Sequence, residues 1–392
     1  MSQSILFKKT DAPADAVMLF IAGTAMSVAG ILLFPISVGS LAYYEKGLYG
    51  LLMFIWGLQM VMLGRTPFGD VNRTNFLIGA GTIFASAGIV TCIIPDVFGK
   101  FPSAALSVCF SFGGFAQLMQ LFFPKNKFHV WMGYGGVFAH LTYGCIAVYS
   151  LSMFIGALVW RQSLIPLPAV AASVTCYGMS VIFLSVILKK IYRLYPAESA
   201  QSHIMGGFVG VKPLLLITGV FTVLLGVLLI PVNLGLLPFS RSAQLGLLTM
   251  IMAVRMLAFG DTPLGSFGRS VSTALTGTLL AVLGTVSCMI PEIMISPLTF
   301  TIAVLNISEG IINLLKNGAA FLKNIVRRHN FRYAVLIKLY LPQFIMAVLS
   351  IIFGLSMFIP SLIPAYLAGA VLAANGIVVL YFLYTLHTVE KQ

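Results

Sequence analysis

Two short phrases in the chain have the residue types of a chemical site. "GIVTCIIPD" runs from Gly88 to Asp96, and "GTVSCMIPE" runs from Gly284 to Glu292. Thiolate and carboxylate both ligate transition metals, so a cysteine followed four residues later by an acid, and occurring twice, raises the question of a metal site. No histidine stands near either phrase, and structural zinc sites use closer pairs such as Cys-x2-4-Cys. The spacing favours a structural reading, and neither metal nor cofactor is expected.

A second set lies in "TIAVLNISEGIINLLKN". Asn306, Glu309, Asn313 and Lys316 fall at i, i+3, i+7 and i+10, which is one face of a helix. Ionisable groups at membrane depth are functional candidates by default. One reading is a polar path with Glu309 as proton or cation acceptor. The other is that the amides bridge helices while Glu309 pairs with a cation such as Lys316 or Lys338. At an offset of 196 residues, Gly113, Gln117 and Gln120 occupy the places of Glu309, Asn313 and Lys316, so both stripes are expected to face protein. Lys338 has the length to snorkel to the inner surface. His140, beside Tyr143, offers either a proton relay or a packed ring.

The elements that must position these residues are set by composition. Hydrophobic residues are 59% of the 392, charged residues 8%, and the mean hydropathy is +1.02. Ordinary soluble domains carry about a quarter charged residues. The apolar residues form long unalternating runs of near membrane-spanning length, so the expected fold is all-α and polytopic, with about twelve transmembrane helices. With the N-terminus inside, only Lys46, Lys100, Arg161 and Arg241 fall on the outer side, leaving 19 of the 23 Lys and Arg residues inside. Both termini are therefore expected in the cytoplasm, with the first run retained as a span. The formal charge of +13 reads as topology and contact with anionic headgroups, not as a nucleic-acid surface. The five cysteines all lie in apolar runs and read as buried small hydrophobes.

The offset of 196 extends well beyond the two phrases. It relates Gly23 to Gly219, Gly30 to Gly226, Pro35 to Pro231, Thr66-Pro67 to Thr262-Pro263, Arg73 to Arg269, and Pro95 to Pro291. A tandem duplication is expected, residues 1–196 and 197–392, each half holding six spans. An even number of spans per copy makes the repeats parallel. Within each copy a Gly and Pro pattern recurs near the outer end of every odd-numbered span, predicting six helical hairpins.

A glycine-rich six-span unit of this kind, marked by "GILLFP…G…G", resembles the HdeD-type acid-resistance membrane proteins, and the chain resembles two such units fused. The resemblance implies a bacterial inner-membrane protein linked to stress and supplies no catalytic residues. The layout of two six-span halves is also similar to that of the major facilitator transporters. Their pattern of a glycine with Asp-Arg four and five residues on is absent, however, from "GRTPFGDVNR" and its copy "GDTPLGSFGR". No phosphate loop, His-Glu-x-x-His or soluble lobe is present, so an enzyme is not expected. Two functions remain open: a transporter or channel-like protein for protons or a small solute, and a non-catalytic scaffold or subunit that assembles with other membrane proteins or with itself.

Overall fold

The computed structural model describes residues 13–70, 74–123, 127–161, 165–195, 211–259, 261–262, 265–266, 270–327, 333–359 and 364–390. Among them lie thirteen helices: α1 (Ala14–Ser37), α2 (Glu45–Leu63), α3 (Asn75–Ile93), α4 (Phe101–Phe122), α5 (Lys127–Tyr134), α6 (Gly136–Trp160), α7 (Leu167–Leu194), α8 (Val211–Asn233), α9 (Arg241–Phe259), α10 (Val271–Met289), α11 (Ile295–Arg327), α12 (Tyr333–Phe358) and α13 (Ala365–Glu390). Two short antiparallel strand pairs accompany them. In β1 (Arg65–Thr66) and β2 (Gly69–Asp70), Arg65 faces Asp70 and Thr66 faces Gly69; in β3 (Asp261–Thr262) and β4 (Gly265–Ser266), Asp261 faces Ser266 and Thr262 faces Gly265.

Local chemistry sets the helix ends. The Thr74 hydroxyl accepts from the Leu77 N–H at 3.2 Å to start α3, and Ser270 with Thr273 forms a capping box at the start of α10. After α1 the chain turns at Gly39, whose φ of +78° favours a residue without Cβ, and the Ser40 N–H donates to the Pro35 carbonyl at 3.1 Å. The same turn follows α8: Gly235 has φ +73°, and the Leu236 N–H donates to the Pro231 carbonyl at 3.0 Å. Asp96 and Glu292, the acids of the two opening phrases, are the described non-glycine residues with positive φ, +63° and +71°. Each follows a proline and closes a turn. Asp96 points outward, 3.7 Å from the Lys46 ammonium, which also donates to the Gly99 carbonyl at 2.8 Å.

Eleven helices among the described residues are long and apolar enough to cross a bilayer, against the twelve expected. The difference is α9, which is of membrane length but carries Arg241, Gln244, Thr249 and Arg255. Its side chains from Ser242 to Ala258 are nearly all buried inside the protein, so its interior position compensates for its lower hydropathy.

The helices group into two compact units. The first holds α1 to α7 together with α9 and α10, and the second holds α8 and α11 to α13. In the first unit the tightest partners are α1 with α7, α2 with α3, α4 with α6, and α9 with α10. These are not the helices joined by the glycine-proline turns, as the hairpin reading expected. The glycines themselves explain the choice. A Cβ on Gly57 would lie 2.6 Å from the Ala85 backbone N, and one on Gly88 would lie 2.6 Å from the Gly50 carbonyl O, so α2 and α3 touch backbone to backbone. A Cβ on Gly23 would lie 2.8 Å from the Ile182 backbone N of α7, and the Ser107 hydroxyl of α4 donates to the Gly156 carbonyl of α6 at 2.7 Å. In the second unit Gly226 and Gly376 bring α8 against α13, and Gly310 and Gly354 bring α11 against α12.

Inside the first unit, α2–α3 meets α9–α10 through two reciprocal hydrogen bonds. The Tyr44 N–H donates to the Met289 carbonyl at 2.8 Å, and the Ser240 N–H donates to the Ile93 carbonyl at 2.9 Å. Tyr44 and Ser240 are 196 residues apart, and so are Ile93 and Met289. Met26, Leu33, Leu48, Leu106, Phe110, Ile155, Met289 and Ile290 lie in a shared buried core. The Tyr44 hydroxyl in this region is buried without a hydrogen-bond partner. Burial first, then the neighbouring Cys92, Asp96 and Cys288, hold its phenol well above the usual range. Because an unpaired buried hydroxyl is a cost, Tyr44→Phe is expected to leave stability unchanged or raise it by up to about 1 kcal/mol, read as Tm in detergent. A marked fall in Tm would mean that the hydroxyl has a partner.

Candidate functional site

A cavity of about 400 Å³ opens within the first unit, among α1, α2, α4, α5, α6 and α7. Its wall is aromatic and aliphatic. Trp56 of α2 packs on Phe110 of α4 with ring centroids 4.5 Å apart, and Phe110 meets Tyr177 of α7 edge-on at 5.7 Å. Ser152 of α6 fixes this wall, donating its hydroxyl to the Phe110 carbonyl at 2.9 Å. Trp131, Leu141, Val148, Tyr149 and Val181 continue the apolar surface.

The rim at the other end is polar and built on the β1–β2 turn. Gln117 donates its Nε2–H to the Pro67 carbonyl at 2.7 Å, and Gln120 donates to the Phe68 carbonyl at 2.9 Å. Spaced three residues apart on α4, the two amides seat the turn against the helix. Gly113 permits this, because a Cβ there would fall 2.5 Å from the Pro67 carbonyl oxygen. Gln59 of α2 adds a third amide to the cavity lining. Arg65 joins the rim and pairs with Asp15 of α1, the guanidinium N to Oδ2 distance being 3.3 Å. The Tyr192 hydroxyl of α7 donates to the same Oδ2 at 3.3 Å. Both members of this ion pair keep 29% of their side-chain surface, so solvent screens it, and it serves to hold α1, α7 and the turn in register. Lys127 of α5 adds a second cation to the rim.

Of the residues singled out from sequence, Gln117 and Gln120 line this cavity. Asn306, Glu309, Asn313 and Lys316 lie on α11 and Lys338 on α12, in the other unit. Asn306 donates its Nδ2–H to the Ile302 carbonyl of its own helix at 2.8 Å; Glu309 and Asn313 are half-buried, and Lys316 and Lys338 are exposed. His140 is exposed on α6, with its Nδ1 2.7 Å from the Gly136 carbonyl one turn back. Arg73, Arg269 and most of the linker between the halves lie outside the described residues. Among the described residues no three His, Cys, Asp or Glu side chains converge as a metal site. Cys92 and Cys288, the cysteines of the opening phrases, are instead buried in the core of the first unit, where Cys92 donates its thiol to the Gly47 carbonyl at 3.4 Å and Cys288 to the Ala243 carbonyl at 3.8 Å.

Sequence reading passed over Asp15, Arg65, Trp56, Phe110 and Tyr177. The aromatics are indistinguishable from core residues in a chain with 30 Phe and 14 Tyr. A signal did exist for the pair: Asp15 heads the first apolar run and Arg65 closes the second, so the two opposite charges lie at one end of neighbouring antiparallel spans.

Comparison with family models, with curated proteins and with solved structures finds no match. The class therefore follows from the molecule itself. Eleven membrane-length apolar helices among the described residues, in a chain of this hydropathy, define a multi-pass integral membrane protein.

Proposed function

We propose that the protein is a transporter or channel-like protein for a small solute, and that the cavity among α1, α2, α4, α5, α6 and α7 is its solute site. The observation that carries this reading is the cavity itself, about 400 Å³ with an aromatic wall and a polar rim. Ligand sites are concave, largely apolar and fitted with a few converging polar groups, and this volume lies in their usual range. The charge distribution of the sequence supports a rim, at the start of α1 and the end of α2, on the cytoplasmic side of a bacterial inner membrane. In this reading the chain has twelve spans in two parallel six-span repeats, with α9 as the enclosed span, and both termini are cytoplasmic. The resemblance to HdeD-type proteins supports a role in stress, anionic headgroups meet the inner basic residues, and no catalysis, cofactor or nucleic acid is involved.

A scaffold is the second reading, favoured by the close glycine contacts that make α1–α7 and α2–α3 rigid pairs. Cys109 separates the two, because it lies on the cavity wall and is partly exposed. In a variant retaining Cys109 as its sole cysteine, a membrane-impermeant maleimide applied to inverted vesicles is expected to label it, and soluble ligand to protect it. Labelling no faster than that of a fully buried thiol favours the scaffold.

A further inference from the structure

The charges around the cavity of the first unit select among guests. Arg65 of β1 and Lys127 of α5 line it, and among the described residues no Asp or Glu does. Asp15 stands off the lining, and its Oδ2 accepts from both Arg65 and the Tyr192 hydroxyl at 3.3 Å. Two positive charges against one negative leave this end with one net positive charge. Gln59 lines the cavity as well, and its amide carries N–H donors.

The wall away from the rim is apolar, with the rings of Trp56, Phe110 and Tyr177 stacked in sequence. Aromatic faces attract cations, so the wall by itself would admit an amine. The rim opposes one, because Arg65 and Lys127 repel it and no lining carboxylate offsets them. An anion buried wholly against the rings would lose its hydration without a partner. An anion whose head stays at the rim, with its apolar body on the rings, avoids that cost. The volume of about 400 Å³ is at the small end of ligand sites, which suits a ring or a short branched chain better than a lipid. The planar guanidinium of Arg65 matches a carboxylate, and one net positive charge suits a monoanion better than a more highly charged phosphate monoester. Resting on the reading of this cavity as the solute site, we propose that its guest is an amphipathic monocarboxylate, with its head at Arg65 and Lys127 and its apolar body on Trp56, Phe110 and Tyr177.

Cys109 lies on the same wall, so its protection from maleimide, in the full chain with Cys109 as sole cysteine in inverted vesicles, reads occupancy. Three probes of one shape are compared at neutral pH: phenylpropionate, phenylpropionamide and phenylpropylamine. Phenylpropionate is expected to protect at a concentration at least about tenfold lower than either of the others, the worth of a charged hydrogen bond. Lys127→Gln should remove most of that advantage, and Lys127→Arg should keep it. Lys190→Gln removes an exposed cation of α7 that does not line the cavity, and it should leave the advantage intact. An advantage that survives Lys127→Gln, or that Lys190→Gln diminishes equally, reflects attraction to the basic face as a whole and overturns the proposal. So does equal protection by acid and amide, stronger protection by the amine, or no protection by any probe while Cys109 labels freely. In each of those cases the cavity remains open and only the class of guest falls. A Cys109 that labels no faster than a buried thiol removes the solute-site reading itself, and the proposal with it.

Discussion

Gly47→Val is expected to lower the stability of the fold sharply. The Cβ would fall inside the Cys288 carbonyl and 2.6 Å from the Tyr44 ring, and a carbonyl in a helix cannot swing away as a side-chain tip can. Relief requires separating α2 from α10, which would strain the Tyr44–Met289 and Ser240–Ile93 hydrogen bonds on either side. Overpacking of this kind costs about 3 kcal/mol, a large fraction of an ordinary stability of roughly 5–15 kcal/mol. Gly79→Ala provides the contrast, since Gly79 is exposed on α3 with nothing within 4 Å of a Cβ. There the methyl group should be neutral or stabilise the helix by about 0.5–1 kcal/mol. Tm and the fraction surviving size-exclusion chromatography after heating would check both. A Gly47→Val protein as stable as the parent would show that α2–α3 and α9–α10 are not packed as described.

Ala22→Trp should abolish solute occupancy while preserving the fold. Ala22 lines the cavity from α1, and an indole there would take up much of the space of about 400 Å³ against Trp56 and Tyr177. The expected result is a loss of at least about tenfold in solute affinity or flux, equivalent to about 1.4 kcal/mol, with near-parental Tm. Glu309→Gln is expected to behave in the opposite way. Glu309 is a half-buried member of α11 in the other unit, so its neutral analogue should keep flux within about twofold and lower Tm. Measuring flux in liposomes beside Tm in detergent separates the two residues. If Ala22→Trp transports normally and Glu309→Gln does not, the solute path runs along α11 and the cavity has no part in transport.

The all-helical, membrane-embedded character of the protein was determined by the sequence alone. A backbone in hydrocarbon must satisfy its own hydrogen bonds, so long apolar runs have few alternatives to helix. The periodic match at 196 residues likewise marked Pro35, Asp96 and their counterparts Pro231 and Glu292, and turn chemistry is local enough that each recurs at the matching position. Partner choice was not local. The glycine-proline turns suggested pairing of the helices they join, yet Gly57, Gly88 and Gly23 place their close contacts on other neighbours, because packing in lipid is decided by where two backbones can approach. In one dimension α9 read as one more span, and only the fold shows that its Ser242, Gln244 and Thr249 are buried inside the first unit, while Arg241 stays exposed and Arg255 half-buried. The site divides in the same way. Gln117 and Gln120 were legible as a polar stripe, since helical spacing survives in one dimension. Their bonds to the Pro67 and Phe68 carbonyls and the Asp15–Arg65 pair join positions roughly 50 residues apart, and the tertiary structure alone brings such positions together.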